Sequence, residues 1–205
     1  FWAVSYPAGT PASAAQRQLP IYSVEREQKM CSVSFDAAWG NEDTQALIDI
    51  LARYNVKATF FCVGDWAEKY PESVKALHDA GHEVMSHSNH HDHYNSLSTQ
   101  QIIDDVTASN QRISAVTGVT PTLIRCPYGE YDDHVISAIR SMGMEPIQWD
   151  VDSLDWKDYD AGTICKRVRD KLAPGSIVLF HNAALHTPEA LPSVLEHMIR
   201  EGYTV

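Results

Sequence analysis

The chain has 205 residues, 44% of them hydrophobic, which is sufficient for one domain with a substantial core. It contains no stretch of about 18 uninterrupted apolar residues, the length that would span a bilayer. The formal net charge of -11 disfavours nucleic acid and anionic lipid as partners, because the field around the protein repels phosphate groups. A neutral or cationic substrate fits this charge better.

The first 20 residues differ in composition from the rest of the chain. They are rich in Ala and Pro and poor in charge, which is typical of a linker or a loosely attached N-terminal arm. We predict this arm over residues 1–20 and one folded domain over residues 21–205. The initial "FWAV" is compatible with the end of a removed anchor or signal segment, so we expect membrane association only through such a segment.

The cysteine pattern gives no sign of a disulfide scaffold or a zinc-thiolate site. The residues are widely spaced and form no C-x-x-C pair, so we expect four buried free thiols. They are Cys31, Cys62, Cys126 and Cys165.

Apolar runs short enough for strands alternate with segments of helical period from Ile21 onward. Leu47, Ile50 and Leu51 have the i, i+3, i+4 spacing of one helix face, and "STQQ" from Ser98 has the S-x-x-Q form of a capping box. The runs predicted as strands are CSVSFD, ATFFCVG, HEVMSHS, TLIRCP, PIQWDV and SIVLFHN.

Runs such as 177–180 are apolar without alternation, which indicates strands buried on both faces of a parallel sheet. Six or seven β/α repeats predict an α/β fold, either a barrel or a doubly wound sheet, with function at the carboxyl ends of the strands. Residues with reactive or charged side chains follow the runs, as that rule requires. They are Asp36, His87, Arg125, Asp152, Asp155 and His181.

"SHSNHHDH" is the most unusual segment, with four histidines in eight residues. His87 and His91 are four apart and would share one face of a helical turn, as two ligands of one metal must. His90 and His93 would then point elsewhere. The alternative is a polar surface loop rich in histidine, but the position after a strand favours the metal site.

His181 ends the strand-like run "SIVLFHN". A single histidine there is commonly structural, but a carboxylate of "DSLDW" could orient its ring and stabilise the imidazolium, giving a general acid. Trp156 in that segment could stack on a sugar. In the longer segment "DVDSLDW", Asp150 to Trp156, at least one of the three aspartates is expected to be solvated or to form a turn.

"RCPYG" joins Arg125 to a tight turn whose backbone N–H groups could face a developing oxyanion. The alternative is a structural salt bridge of Arg125. Asp43 directly precedes a predicted helix, where an N-cap is the more common role and a catalytic or ligand acid is the alternative.

Five segments occur in an order that resembles the successive motifs of the polysaccharide deacetylases, the NodB-homology domain of carbohydrate esterase family 4. They are SFDAAWG, SHSNHH, RCPYG, DSLDW and VLFHN. The resemblance extends from about Ser32 to the end of the chain. "LPIYSVE" and the form FDxxWG are most similar to the cell-wall and sporulation-associated branch of Gram-positive bacteria. That similarity implies an extracytoplasmic protein, secreted or anchored at the cell membrane.

The resemblance implies a distorted (β/α) barrel of about seven parallel strands with outer helices. It also implies a divalent metal, most commonly zinc with cobalt or nickel as alternatives. By position, His87 and His91 resemble the metal ligands, Asp36 the catalytic base and His181 the acid.

Five further positions have counterparts in the family's site. Arg125 would keep the base ionised, Asp155 would tune the acid, and Tyr128 would donate its backbone N–H to the oxyanion. Trp156 and Leu179 resemble the walls of the pocket for the acetyl methyl group.

Ala37 departs from the family pattern, in which a second Asp commonly completes an Asp-His-His metal site. Water could replace this ligand, another acid could substitute, or catalysis could be lost. We consider as a hypothesis that Asp43 is the third ligand.

The sequence therefore predicts a metal-dependent hydrolase that removes N-acetyl groups from a cell-wall polysaccharide, most plausibly peptidoglycan at GlcNAc or MurNAc. We expect a monomer that binds an N-acetylated glycan and no nucleic acid. The alternatives are a catalytically impaired glycan-binding protein on the same fold, and an acetylxylan or chitin deacetylase. The joint presence of Asp36, Arg125, Asp155 and His181 favours the enzyme.

Overall fold

The computed structural model describes residues 17–205, so the initial "FWAV" and most of the predicted arm lie outside the described residues. The strands are β1 Ser32–Ala37, β2 Thr59–Cys62, β3 Glu83–Ser86, β4 Leu123–Ile124, β5 Glu145–Pro146, β6 Val151–Asp152 and β7 Ile177–His181. The helices are α1 Thr44–Arg53, α2 Gly64–Lys69, α3 Pro71–Asp79, α4 Thr99–Thr117, α5 Asp133–Ser141, α6 Ala161–Lys171 and α7 Thr187–Arg200.

The seven strands form one sheet in the order β5-β4-β3-β2-β1-β7-β6, and all neighbouring pairs are parallel. β1 lies inside the sheet between β2 and β7, and its residues are buried on both faces, with Val33, Phe35 and Ala37 in the main core cluster. The predicted α/β class and distorted barrel of about seven parallel strands are confirmed.

One strand prediction is wrong, because the run "PIQWDV" contains the end of β5 and the start of β6. β5 pairs with β4 and β6 pairs with β7, so these two strands form opposite edges of the sheet. Residues 147–150 connect them, and such a connection spans at most roughly 18 Å. The two edges must therefore curl toward each other.

The segment after the predicted arm lies across this opening. Ile21 pairs with Ile147 next to β5, donating to Pro146 O at 3.0 Å, and Ser23 pairs with Ser176 just before β7. The first described residues also contact α5, because Gln18 N donates to Asp133 Oδ1 at 3.0 Å.

The helices cover the outside of the sheet with the apolar stripes that the sequence predicts. Leu47, Ile50 and Leu51 of α1 are buried, and the Ser98 hydroxyl accepts from Gln101 N in a complete capping box at the start of α4. All four cysteines are buried free thiols, as predicted. In the described part of the chain, no helix is long and apolar enough to cross a bilayer.

Candidate active site

A pocket of about 380 Å³ opens at the carboxyl edge of the sheet. Seven of the nine predicted site residues line it: Asp36, His87, His91, Tyr128, Trp156, Leu179 and His181. The remaining two, Arg125 and Asp155, lie behind the pocket wall and are bonded to Asp36 and His181. The nine predicted site residues therefore lie together at the carboxyl ends of the parallel strands, as the sequence predicts.

Arg125 fixes Asp36 from behind. The guanidinium is fully buried, donates to Asp36 Oδ1 at 2.9 Å and to Gln148 O at 2.8 Å, and lies 4.3 Å above the Phe61 ring. Burial alone would raise the pKa of Asp36, but the electrostatic interactions with His87, Arg125 and His181 and the hydrogen bond from Arg125 outweigh it and lower that pKa. Asp36 is therefore held as a carboxylate.

His87 is held in one tautomer by a backbone carbonyl. Its Nδ1 donates to Arg125 O at 2.6 Å, so Nε2 presents a lone pair toward Asp36 Oδ2 at 3.5 Å. Burial lowers the pKa of His87, which keeps the ring neutral. His87 therefore presents a free nitrogen toward the carboxylate of Asp36.

His91 reaches the same pocket, but not through the helical turn that its spacing from His87 predicts. Ser88 and His91 have φ values of +71° and +63°, so the segment is an irregular loop in which two residues adopt the left-handed conformation. The rings of His87 and His91 nevertheless lie 4.9 Å apart. His90 and His93 point elsewhere, as predicted, and pair with Asp65 and Glu130.

The donor set suits a metal in part. His91 Nδ1 is buried without a hydrogen-bond partner in the described structure, and burial lowers the pKa of His91 to about 4. Both imidazoles are thus in the unprotonated state that a cation requires. No group of three His, Cys, Asp or Glu within residues 17–205 is placed to share an ion, and Ala37 is fully buried in the main core cluster. The residues therefore do not form a complete three-ligand site.

Asp155 orients His181 through two contacts. Its Oδ1 accepts from His181 Nδ1 at 2.8 Å, and its Oδ2 accepts from the backbone N of His181 at 2.7 Å and from Thr187 Oγ1 at 2.6 Å. Burial alone would lower the pKa of His181, but the hydrogen bond to Asp155 and the charges of Asp36 and Asp155 raise it. His181 therefore has the environment of a proton donor.

Aromatic side chains form the rim of the pocket. Tyr128 has a φ of +61° within the turn Pro127–Gly129, and its ring stacks on His93 at a centroid distance of 4.1 Å. Trp156 is 56% exposed, which leaves its indole face open to a ligand. Trp39 also lines the pocket, although the sequence predicts no role for it. Its place three residues after Asp36 in the motif SFDAAWG could have indicated a site residue.

Asp43 lies at the predicted N-cap position of α1 but neither caps the helix with its side chain nor reaches the pocket of His87 and His91. Both carboxylate oxygens instead accept from Ala183 N at 2.8 and 2.9 Å. Burial raises the pKa of Asp43 to about 6. The third-ligand hypothesis therefore has no geometric support, because this carboxylate faces the turn after β7.

Two further aspartates of the motif "DVDSLDW" are structural, as expected for at least one of them. Asp152 Oδ1 accepts from Leu154 N at 2.9 Å and so forms a turn, and Asp150 accepts from Ile177 N at 2.8 Å. Asp155 is therefore the aspartate of this segment that is bonded to His181.

Known proteins share this sequence pattern and this fold. A family model described as polysaccharide deacetylase matches residues 23–147. The chain is 33% identical over 186 residues to the peptidoglycan-N-acetylglucosamine deacetylase PgdA of Listeria monocytogenes, covering 91% of this chain but 39% of that protein. It is 31% identical to the peptidoglycan-N-acetylmuramic acid deacetylase PdaC of Bacillus subtilis, covering 88% of this chain and 38% of that protein.

Solved structures give the same assignment. A CE4 family (carbohydrate esterase family 4) pseudoenzyme from Bacillus anthracis superposes with a TM-score of 0.87 at 34% identity, covering 91% of this chain and 66% of that chain. A mutant of that pseudoenzyme, described as having restored enzymatic activity, superposes with a TM-score of 0.88. The shared motifs, the curled parallel sheet and these matches lead to one conclusion: the chain belongs to the polysaccharide deacetylase family.

Proposed function

We propose that this domain hydrolyses N-acetyl groups on a cell-wall glycan, with peptidoglycan as the substrate. The main support is the pairing of a fixed carboxylate with an oriented imidazole. Asp36 and His181 are register partners on the adjacent strands β1 and β7, which places their Cα atoms about 5 Å apart. The relatives named above, described as deacetylases of peptidoglycan, support the choice of glycan.

The proposed reaction divides proton transfer between these two residues. Asp36, kept ionised by Arg125, accepts a proton from the water that attacks the acetyl carbonyl carbon. His181, kept protonated by Asp155, donates a proton to the departing nitrogen as the C–N bond breaks. The products are acetate and a free amino sugar, so one water molecule accounts for all atoms.

We propose His87 and His91 as the residues that hold a divalent metal, with zinc as the ion. When bound, such an ion polarises a carbonyl and lowers the pKa of water. The hydrogen bond from His87 to the Arg125 carbonyl fixes the ring for this role, as partners of metal-bound histidines do. We also propose that the domain acts outside the cytoplasm, secreted or anchored at the membrane of a Gram-positive bacterium.

Acetate release tests this function directly. Purified peptidoglycan and chitooligosaccharides would be incubated with the domain, with and without added Zn²⁺ or Co²⁺. We expect metal-stimulated acetate release that the Asp36→Asn variant reduces by at least about a hundredfold. Release that is equal in the variant would disprove Asp36 as the base.

A second candidate is a glycan-binding protein without turnover. Ala37 and the incomplete donor set favour it, as does the similarity to a CE4 family pseudoenzyme. This candidate predicts glycan binding with no acetate release at any metal concentration. The acid and base pair would then lack a purpose, which is why we favour the enzyme.

A further inference from the structure

A second hollow lies beside the active-site pocket and shares a wall with it. It has a volume of about 420 Å³, and Ala38 and Trp39 line both spaces. Its other walls belong to the β1–α1 loop and to the region of α2, and they are Gly40, Asp65, Trp66, Lys69 and Tyr70. The proposed function assigns no role to this hollow.

Trp39 lines both spaces, and hydrogen bonds to the carbonyl of the next residue fix the loop that carries it. Its side chain is 70% exposed, yet the adjacent Gly40 carbonyl accepts from Trp66 Nε1 at 2.9 Å and from Asn182 Nδ2 at 2.8 Å. An exposed indole on a fixed loop loses little conformational freedom when a ligand binds. Its flat apolar face suits the face of a sugar ring.

The charges around the second hollow leave Lys69 without an anionic partner among the described residues, and its Nζ lies 5.2 Å from the centroid of the Tyr70 ring. Asp65 pairs with Arg112 Nη1 at 2.7 Å and with His90, and Glu68 pairs with Arg112 Nη2 at 2.9 Å. Lys69 makes no salt bridge to any of residues 17–205. The hollow therefore contains an ammonium group that can accept an anionic ligand.

We propose that the second hollow binds the sugar next to the one whose acetyl group enters the active-site pocket, and that this neighbouring sugar bears a carboxylate which pairs with Lys69. The substrate class is then a glycan that alternates neutral and acidic N-acetylhexosamines, as in peptidoglycan, rather than uncharged chitin or xylan. This inference rests on the proposed function, since it takes the glycan to occupy the first pocket.

Lys69 has a larger effect on ligand choice here than it would on a neutral protein. The chain has a formal net charge of -11, so its overall field opposes an acidic glycan. A local cation is then needed to make the carboxylate favourable. Removal of that cation is expected to abolish the preference for the acidic ligand.

Calorimetry with two tetrasaccharides of equal length tests the proposal. One is uncharged chitotetraose, and the other is a peptide-free peptidoglycan tetrasaccharide with its carboxylates. We expect the wild-type domain to bind the acidic ligand at least about threefold more tightly, a ratio typical of one exposed ion pair. Lys69→Gln should abolish this preference and Lys69→Arg should retain it. Lys75→Gln, on the exposed face of α3, is the matched control and should change nothing.

The outcomes separate this inference from the proposed function. No preference in the wild type, or a preference that Lys69→Gln leaves intact, would overturn the acidic-sugar site. Acetate release from the uncharged ligand does not depend on Lys69, so it reports on the proposed function alone. Trp39→Ala should weaken binding of both tetrasaccharides by about tenfold. Equal affinity in this variant would contradict a contact between the Trp39 indole and the glycan.

Discussion

Asp155 controls both the orientation and the charge of His181. Because the carboxylate contacts the ring and raises its pKa, the imidazolium persists to higher pH than that of a free histidine. The stabilisation from this pair is complete below the usual histidine pKa and is lost as pH rises through the raised one. An acid that must be protonated should therefore fail on the alkaline side.

We predict that Asp155→Asn shifts the alkaline fall of kcat to lower pH and reduces kcat by about a hundredfold. The amide can still accept from the ring but no longer supplies a negative charge. NMR titration of the His181 imidazole should show a lower pKa in the variant. An unchanged alkaline limb would show that His181 is not the acid.

An acid at position 37 should give His87 and His91 a third ligand, because the family pattern places an Asp there. We predict that Ala37→Asp binds Zn²⁺ at least about tenfold more tightly than the wild type in a calorimetric titration. Without metal the variant should melt at lower temperature, because Ala37 is fully buried and the new carboxylate loses water. Zinc should restore the melting temperature.

The equally buried Ala67 provides a control, since Ala67→Asp should be destabilised with no recovery by zinc. Equal zinc affinity in wild type and Ala37→Asp would contradict a ligand role at this position.

At the scale of elements, the β1–α1 loop and the turn after β7 are joined by buried polar bonds. The Asp43 carboxylate accepts a hydrogen bond from the backbone N of Ala183, a residue with a φ of +63°. Thr44 Oγ1 donates to Asn182 Oδ1 at 3.0 Å. Asn182 directly follows His181, so these bonds limit the movement of the proposed acid. The loop that contains Trp39 is tied to the same turn through Gly40.

Asp43 should make the free energy of unfolding fall as pH rises, the opposite of what most native carboxylates do. Its pKa is about 6 in the folded state against 3.8 as the reference, so the folded protein binds more protons between these values and loses stability as pH rises. The shift corresponds to about 3 kcal/mol at most. We predict that Asp43→Asn gains stability relative to wild type between pH 4 and pH 7, measured by urea unfolding. Asp49→Asn, at an exposed site on the same helix, should show no such trend.

The capping box at the start of α4 should contribute to the stability of the fold. Ser98 Oγ accepts from Gln101 N at 3.2 Å, and the Gln101 side chain accepts from Ser98 N at 2.9 Å. Ser98→Ala should lower the free energy of unfolding by about 1 kcal/mol without changing acetate release. Ser114→Ala, inside the same helix, is the control and should have a smaller effect.

At the scale of the whole molecule, the sequence predicts most of the sheet because periodicity depends on local spacing. Buried strands, helix faces and strand-end chemistry all follow from residues close together in the chain. The run "PIQWDV" misleads because its apolarity does not reveal that the chain crosses from one sheet edge to the other. The partner of Asp43 is equally hidden, since Ala183 lies 140 residues away. His91 lines the pocket in a left-handed conformation that its spacing from His87 does not indicate.

Arg125 acts on the site from two chemically distinct parts of one residue. Its guanidinium holds Asp36, while its peptide oxygen fixes the tautomer of His87. Side-chain replacement removes the contacts of the guanidinium with Asp36 and with the Gln148 carbonyl but leaves the peptide oxygen, since every amino acid retains a carbonyl. An alanine substitution at this position would therefore report only on the guanidinium, and an amide-to-ester substitution between Arg125 and Cys126 by semisynthesis would be needed to weaken the peptide oxygen as an acceptor.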